Sequence, residues 1–209
     1  MVFPAMTARW LVIFVKEPRP GRVKTRLGRD FGYVAAAWWF RHQTRQLLRR
    51  IGRDRRWRTV LAVSPDREGL ESRVWPGSFP RIAQGQGSLG DRMSGVLHAL
   101  PPGPVIIVGA DIPEIEPRHI ARGFETLGRS DAVLGPSDDG GYWMIGLARG
   151  AQALPAHIFK DVRWSTEHAL DDTVASLAPL RIGYSSTLQD VDTLDDLRAL
   201  SDHPPRMPN

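Results

Sequence analysis

Five cations fall within eleven positions of the 209-residue chain: Lys16, Arg19, Arg22, Lys24 and Arg26. Pro18 and Pro20 stiffen the segment Lys16 to Leu27, and Gly21 lets it turn tightly. A rigid, electropositive loop of this kind suits a triphosphate or pyrophosphate. The competing reading is a solvated surface loop in an arginine-rich protein. Lysine usage weighs against it: of the 28 basic residues only Lys16, Lys24 and Lys160 are lysines. Two of the three thus stand in this one loop, where a compact point charge matches a phosphate.

Carboxylates supply the complementary chemistry. Asp111 ends the apolar run Val105 to Ala110. It stands too early to cap the next helix, because Pro117 suits a first helical position and makes Glu116 the cap. An Asp at a strand's carboxyl end, facing phosphates, suits Mg²⁺, which takes one or two carboxylates and fills its shell with phosphate oxygens and water. Asp190 and Asp192 precede a capping box of Thr193 and Asp196. They read equally as a second metal-ligand cluster or as an acidic approach to a helix start. Asp138, Asp139, Gly140 and Gly141 have the composition of a hairpin turn, yet a turn needs only one Asp. The pair is therefore a candidate either for binding the acceptor, with Gly140, Gly141 and Tyr142 beside it, or for helping the metal.

These residues need a scaffold that brings loop ends together. Apolar runs at Trp10–Val15, Thr59–Ser64, Arg81–Ala83, Val105–Ala110, Ala132–Gly135, Tyr142–Leu147 and Leu180–Ser185 predict strands. Helical spacing falls between them at Tyr33–Ile51, Asp91–Leu100, Pro117–Leu127, Ser165–Leu177 and Thr193–Leu200. That alternation predicts an α/β domain with a mainly parallel sheet, whose ligands gather at the carboxyl ends of strands. One domain over residues 9–201 is expected, with fraying ends at 1–8 and 202–209.

Composition removes whole classes of chemistry. The chain has no cysteine, so thiolate zinc, iron–sulfur and Cys-nucleophile chemistry are absent. The six histidines show no HExxH spacing. Gly85-Gln86-Gly87-Ser88-Leu89-Gly90 matches a dinucleotide fingerprint in letters, but follows a short mid-chain strand rather than a first, strongly apolar one. Arg41, Arg45 and Arg49, at helical spacing, read as a solvated face. The net charge of +5 reflects arginine usage, and no nucleic acid is expected as a partner. The early apolar run Leu11 to Val15 is far short of the roughly 20 residues that cross a bilayer. A soluble cytoplasmic protein without membrane partners is expected, its oligomeric state left open, a homodimer included.

Taken in order, Phe14-Val15-Lys16, Gln84-Gly85-Gln86-Gly87, Leu89-Gly90-Asp91-Arg92-Met93, Asp111-Ile112-Pro113, Asp138 to Trp143, Trp164-Ser165-Thr166 and Asp190 to Thr193 resemble the rSAM/selenodomain-associated transferase family. The chain is similar, more distantly, to the guanylyltransferases acting on phospholactate and on the molybdenum cofactor. The resemblance implies a GT-A-like three-layer sandwich with a mainly parallel mixed sheet, as in nucleotide-diphospho-sugar transferases. It implies Lys16, Lys24 and Arg26, with Arg22 in the same loop, on the phosphates of a nucleotide. Gln86, Gly87 and Leu89 would lie near its base, Asp111 and Asp192 would hold Mg²⁺ or Mn²⁺, and Asp138 to Tyr142 would face a small acceptor. Lys24, Asp111 and Asp139 then form the expected catalytic set. Nucleotidyl transfer is the leading expectation, because five cations suit a triphosphate; glycosyl transfer from a nucleotide sugar, with Asp138 or Asp139 as base, is the alternative.

Overall fold

The computed structural model describes residues 8–149, 155 and 157–202. The ends expected to fray fall almost wholly outside these. The elements run β1 (Trp10–Lys16), α1 (Thr25–Phe31), α2 (Tyr33–Ile51), β2 (Arg58–Ser64), α3 (Asp66–Glu71), β3 (Arg81–Ala83) and α4 (Leu89–Ala99). They continue with β4 (Val105–Gly109), α5 (Pro117–Thr126), β5 (Ala132–Pro136), β6 (Tyr142–Leu147), α6 (Ala169–Ser176), β7 (Ile182–Tyr184) and α7 (Leu194–Asp202).

Seven strands form one sheet in the order β3-β2-β1-β4-β6-β5-β7. β1 pairs in parallel with both β2 and β4, and β5 with β7, while β6 runs antiparallel between β4 and β5. The mainly parallel mixed sheet expected above is thus observed. Its central strands are apolar on both faces because both faces are covered. Leu11, Ile13 and Val15 of β1 pack with Phe40, Leu47 and Ile51 of α2 and with Ile120 and Phe124 of α5. Val12, from the other face, packs with Met93, Val96 and Leu97 of α4 and with Leu177 beyond α6. Helices on both faces make the three-layer sandwich.

Two short helices were not expected. α1 starts inside the basic loop, so the segment that stays irregular is 17–24 rather than all of Lys16 to Leu27. Its N-cap, Lys24, has φ 45 and ψ 51 and makes no side-chain cap bond, so the usual Ser/Thr/Asp signal is missing. α3 is six residues long and follows Pro65. The predicted caps elsewhere form: Glu116 precedes Pro117 at α5, and the Asp196 carboxylate accepts from the N–H of Thr193 and of Asp192.

Candidate active site

Chain direction explains why the chemistry collects at one edge. β1, β2, β3 and β4 are parallel, so their carboxyl ends and the loops after them share one edge of the sheet. The basic loop leaves β1 there, the Gly85–Ser88 loop leaves β3, and Asp111 follows β4. Gly109 leaves room for that carboxylate: a Cβ there would lie 2.8 Å from Asp111 Oδ1.

The acidic residues 190 and 192 arrive from the far side of the sheet. After β7 the chain runs along β5, with Ser185 N–H donating to Leu134 O and Leu188 N–H to Pro136 O. It is fastened again by the Trp143 indole, which donates to Ser186 O at 2.9 Å. It then reaches β4, where Val191 N–H donates to Asp111 O at 3.3 Å. Val191 is buried and its half-buried neighbours Asp190 and Asp192 turn to Asp111. Oxygen atoms of Asp111, Asp190 and Asp192 come within 4.8 Å of one another.

Lys24 is the centre of charge in this cluster. Its Nζ lies 2.5 Å from Asp111 Oδ2 and 2.6 Å from Asp192 Oδ1, and its side chain is only 5% exposed. Burial alone would lower its pKa, but the two carboxylates outweigh it and hold the ammonium charged, above its ordinary value. Arg26 adds a second cation, 3.1 Å from Asp192 Oδ2. Burial pushes Asp190 up to about 6; Lys24 pulls the other way, while Asp192, Asp111 and Asp139 reinforce the rise. Three carboxylates face two cations, and such an oxygen-rich, under-neutralised set fits a hard divalent ion.

Beside the acidic cluster lies a cleft of about 180 Å³. Asp111, Asp139 and Asp190 line one part of it, and Tyr142, Trp164 and Leu89 another. The expected hairpin turn is present: Gly140 N–H donates to Ser137 O, and the Asp139 carboxylate accepts from Gly141 N–H at 2.9 Å. Gly140 has φ 79, and a Cβ on it would run into the Glu167 backbone, so only glycine lets the turn dock there. Burial raises the Tyr142 phenol well above its ordinary value, and its oxygen takes a hydrogen bond from Thr173 Oγ1, so it shapes the cleft as a neutral group.

The structure therefore brings Lys24, Arg26, Asp111, Asp139, Tyr142 and Leu89 to one place. Lys16 and Arg22 are exposed at the same edge, outside the cluster, and Arg19 is drawn off by Glu68 at 3.1 Å. Gln86 and Gly87 are exposed on the loop after β3, and Asp138 is exposed on the turn, with Gly141 lining the cleft. Ser88 caps α4 through a box with Asp91, which is where the glycine-rich segment's polar groups go. Sequence reasoning left Asp190 undecided, and it gave no role to Thr166 or Ser165, which line the cleft. It also missed Gln84, whose buried amide donates to Val15 O and Ala62 O and pins the ends of β1 and β2.

This fold, with its acidic cluster at the carboxyl edge, belongs to the structural class of the GT-A-like nucleotide-diphospho-sugar transferases. The chain itself belongs to the family described as "Uncharacterized protein conserved in bacteria (DUF2064)", whose model matches residues 47–166. That match includes Asp111 and the Asp138–Tyr142 turn. A protein of Desulfovibrio desulfuricans G20, provisionally named a nucleotide-diphospho-sugar transferase, has a crystal structure that superposes with a TM-score of 0.80 over 95% of this chain and 89% of that one, at 26% identity. Rv0371c of Mycobacterium tuberculosis H37Rv, solved as a complex with manganese, gives a TM-score of 0.56 over 95% of this chain and 100% of that one, at 17% identity. CMP:2-keto-3-deoxy-manno-octonic acid synthetase, solved with CTP, gives 0.57 over 95% and 100%, at 13% identity. At the two lower identities the likeness is one of fold. No curated protein sequence matches the chain, and among the described residues no helix is long and apolar enough to cross a membrane.

Proposed function

We propose that the chain is a divalent-metal-dependent nucleotidyltransferase. An anionic oxygen of a small acceptor attacks the α-phosphorus of a nucleoside triphosphate; the new O–P bond forms as the bond to the bridging oxygen breaks, and pyrophosphate leaves. The observation that carries this reading is the convergence of Asp111, Asp190 and Asp192 with Lys24 and Arg26 at the carboxyl edge. Asp111 and Asp192, joined by Asp190, would hold Mg²⁺ or Mn²⁺, which when bound supplies charge neutralisation on phosphate oxygens. Lys24 and Arg26 neutralise the leaving group, with Lys16 and Arg22 at the rim of the same edge. Such chemistry needs positioning and charge more than a protein nucleophile.

The cleft beside Asp139 is smaller than the roughly 300–1,000 Å³ of typical ligand pockets. It suits a compact acceptor, with the nucleotide along the open edge between the basic loop and Gln86, Gly87 and Leu89. The manganese complex of Rv0371c and the CTP complex of the octonic acid synthetase, both of this fold, support the metal and the nucleotide.

One observation favours a second reading. The 26%-identical relative is named for nucleotide sugars, and the exposed Asp139 carboxylate at the cleft could take the proton of an acceptor hydroxyl, as glycosyl transfer requires. The two reactions are separated by incubating the protein with each nucleoside triphosphate, Mg²⁺ or Mn²⁺ and a bacterial metabolite extract, and assaying pyrophosphate. Pyrophosphate release that Asp111→Asn lowers by on the order of 100-fold is the expected result. Silence in that assay, with UDP- or GDP-sugars raising the melting temperature instead, rejects nucleotidyl transfer.

A further inference from the structure

The edge of the sheet opposite the catalytic one carries a second charged cavity. It lies where α2 hands over to β2 and where the chain enters β3, and has a volume of about 480 Å³. Arg45 and Arg49 of α2, Arg53 just beyond it and Arg73 of the segment before β3 line it, with Trp75 and Phe79. No acidic residue lines the cavity, and none of the four guanidinium groups takes part in an ion pair among the described residues.

The cavity is also built rather than draped. Arg81 of β3 donates to the carbonyls of Ser72 at 2.6 Å and Trp75 at 2.9 Å, which fastens the segment bearing Arg73 to the body of the protein. Arg45 donates to Val74 O at 3.3 Å and closes the same segment against α2. Trp75 is 2% exposed, yet its indole N–H is buried without an acceptor in the protein. An unmatched buried donor costs about 1–3 kcal/mol; sealed within the cavity wall, this indole is placed to report a bound anion through its resonance rather than to contact it. Cations near a helix carboxyl end do complement its dipole, which accounts for Arg49 and Arg53. It does not account for Arg73, which comes from another segment, nor for four like charges around a hollow.

We propose that this cavity is a second anion site, taking a small molecule that carries a di- or triphosphate. Four guanidinium groups match the three to four negative charges of such a group, and their planar forks pair with phosphate oxygens two at a time. The volume admits a ligand of nucleotide size. The site stands apart from the catalytic edge and does not depend on which reaction occurs there.

Tripolyphosphate is the probe, titrated at low ionic strength into protein with ¹⁵N-labelled tryptophan. Saturable binding is expected to move one indole N–H resonance, the one missing from Trp75→Phe. The double variant Arg49→Gln/Arg73→Gln should weaken that event at least about tenfold for each arginine. Lys24→Gln, which alters the catalytic edge, should leave it in place. Arg49 and Arg73 are exposed, whereas Lys24 is almost buried, so unchanged circular dichroism and a cooperative melt are required of each variant before its affinity is read. Equal affinity in the double variant, loss of the event in Lys24→Gln, or preferential binding of a single-stranded oligonucleotide over tripolyphosphate at the same resonance would each overturn the assignment.

Discussion

Lys24 Nζ stands 2.5 Å from Asp111 Oδ2, and the lysine that makes this contact has a left-handed backbone, with φ 45. Non-glycine residues avoid that region, at a cost of about 1–2 kcal/mol. The strain has a local return: the same conformation turns the chain into α1 and sends the side chain down between Asp111 and Asp192. One residue thus couples the end of the basic loop to the acidic cluster. Removing its charge while keeping its bulk, as in Lys24→Met, leaves Asp111 without a cation. Fully buried pairs lose about 3–5 kcal/mol when one partner goes. Asp111 and Asp192 keep 29% and 34% of their side chains in water, so about 1–3 kcal/mol is expected here. For a chain of this size that is a fall in melting temperature of about 3–10 °C by calorimetry. Lys24→Gly, which relieves the backbone, should be less destabilised than Lys24→Met; the reverse order would show that backbone strain is not being held by the ion pairs.

The acidic cluster makes a separate prediction about cations. Titrating Mn²⁺ and following its free signal by electron paramagnetic resonance should give one site. Asp111→Asn, Asp190→Asn and Asp192→Asn should each weaken it by on the order of tenfold or more, because each removes one charged oxygen ligand. Asp138→Asn, exposed on the turn and outside the cluster, should leave it unchanged. Retained affinity in both Asp190→Asn and Asp192→Asn would reduce the site to Asp111 alone and remove the basis for a metal.

Much of this arrangement is legible in the sequence because local chemistry and global fold agree. The apolar runs of β1 and β4 are buried on both faces, and the Thr193–Asp196 and Glu116–Pro117 signals start α7 and α5 as their chemistry demands. What fails is what depends on distance through space. Spacing leaves Asp190 and Asp192 undecided, since only the crossing of the post-β7 segment back to Asp111 brings both in, with Val191 buried between them. α1 escapes notice because its cap is a lysine held in place by tertiary ion pairs. Arg45 and Arg49 read as a solvated face, and they become the wall of a cavity only when Arg73 is folded against them.

Two glycines with nearly equal backbones separate strain from crowding. Gly21 has φ 74 and open space around a notional Cβ; Gly140 has φ 79 and the Glu167 backbone in the way. Gly21→Ala should cost only the left-handed penalty, about 1–2 kcal/mol. Gly140→Ala must also push away the segment that docks through Leu170 N–H on Gly140 O at 3.0 Å, and should cost about 2–4 kcal/mol. Urea unfolding midpoints measure both. Because that docking forms a wall of the cleft, Gly140→Ala should also weaken acceptor binding, whereas equal losses in the two variants would show the turn to be free of the 166–170 segment.

His119 gives the fold a pH dependence whose sign follows from its hydrogen bond. The Glu116 N–H at the start of α5 donates to His119 Nδ1 at 3.2 Å, which requires that nitrogen to be unprotonated. Burial, with repulsion from Arg118, lowers the imidazole below its ordinary 6.5, against the pull of Glu116 and Glu114. Between the folded and unfolded values the unfolded chain binds more protons, so stability rises with pH. The contribution is therefore complete above pH 6.5 and is lost as the pH falls through the folded value. Melting temperatures at pH 7.5 and pH 5 should drop further for the natural protein than for His119→Gln. Asp190, pushed up to about 6, titrates in the same window with the opposite sign, but it is present in both proteins and cancels in the difference. Parallel pH curves for the two would mean that α5 keeps its first turn with a protonated ring, and that the Glu116–His119 bond contributes nothing to holding the loop after Asp111.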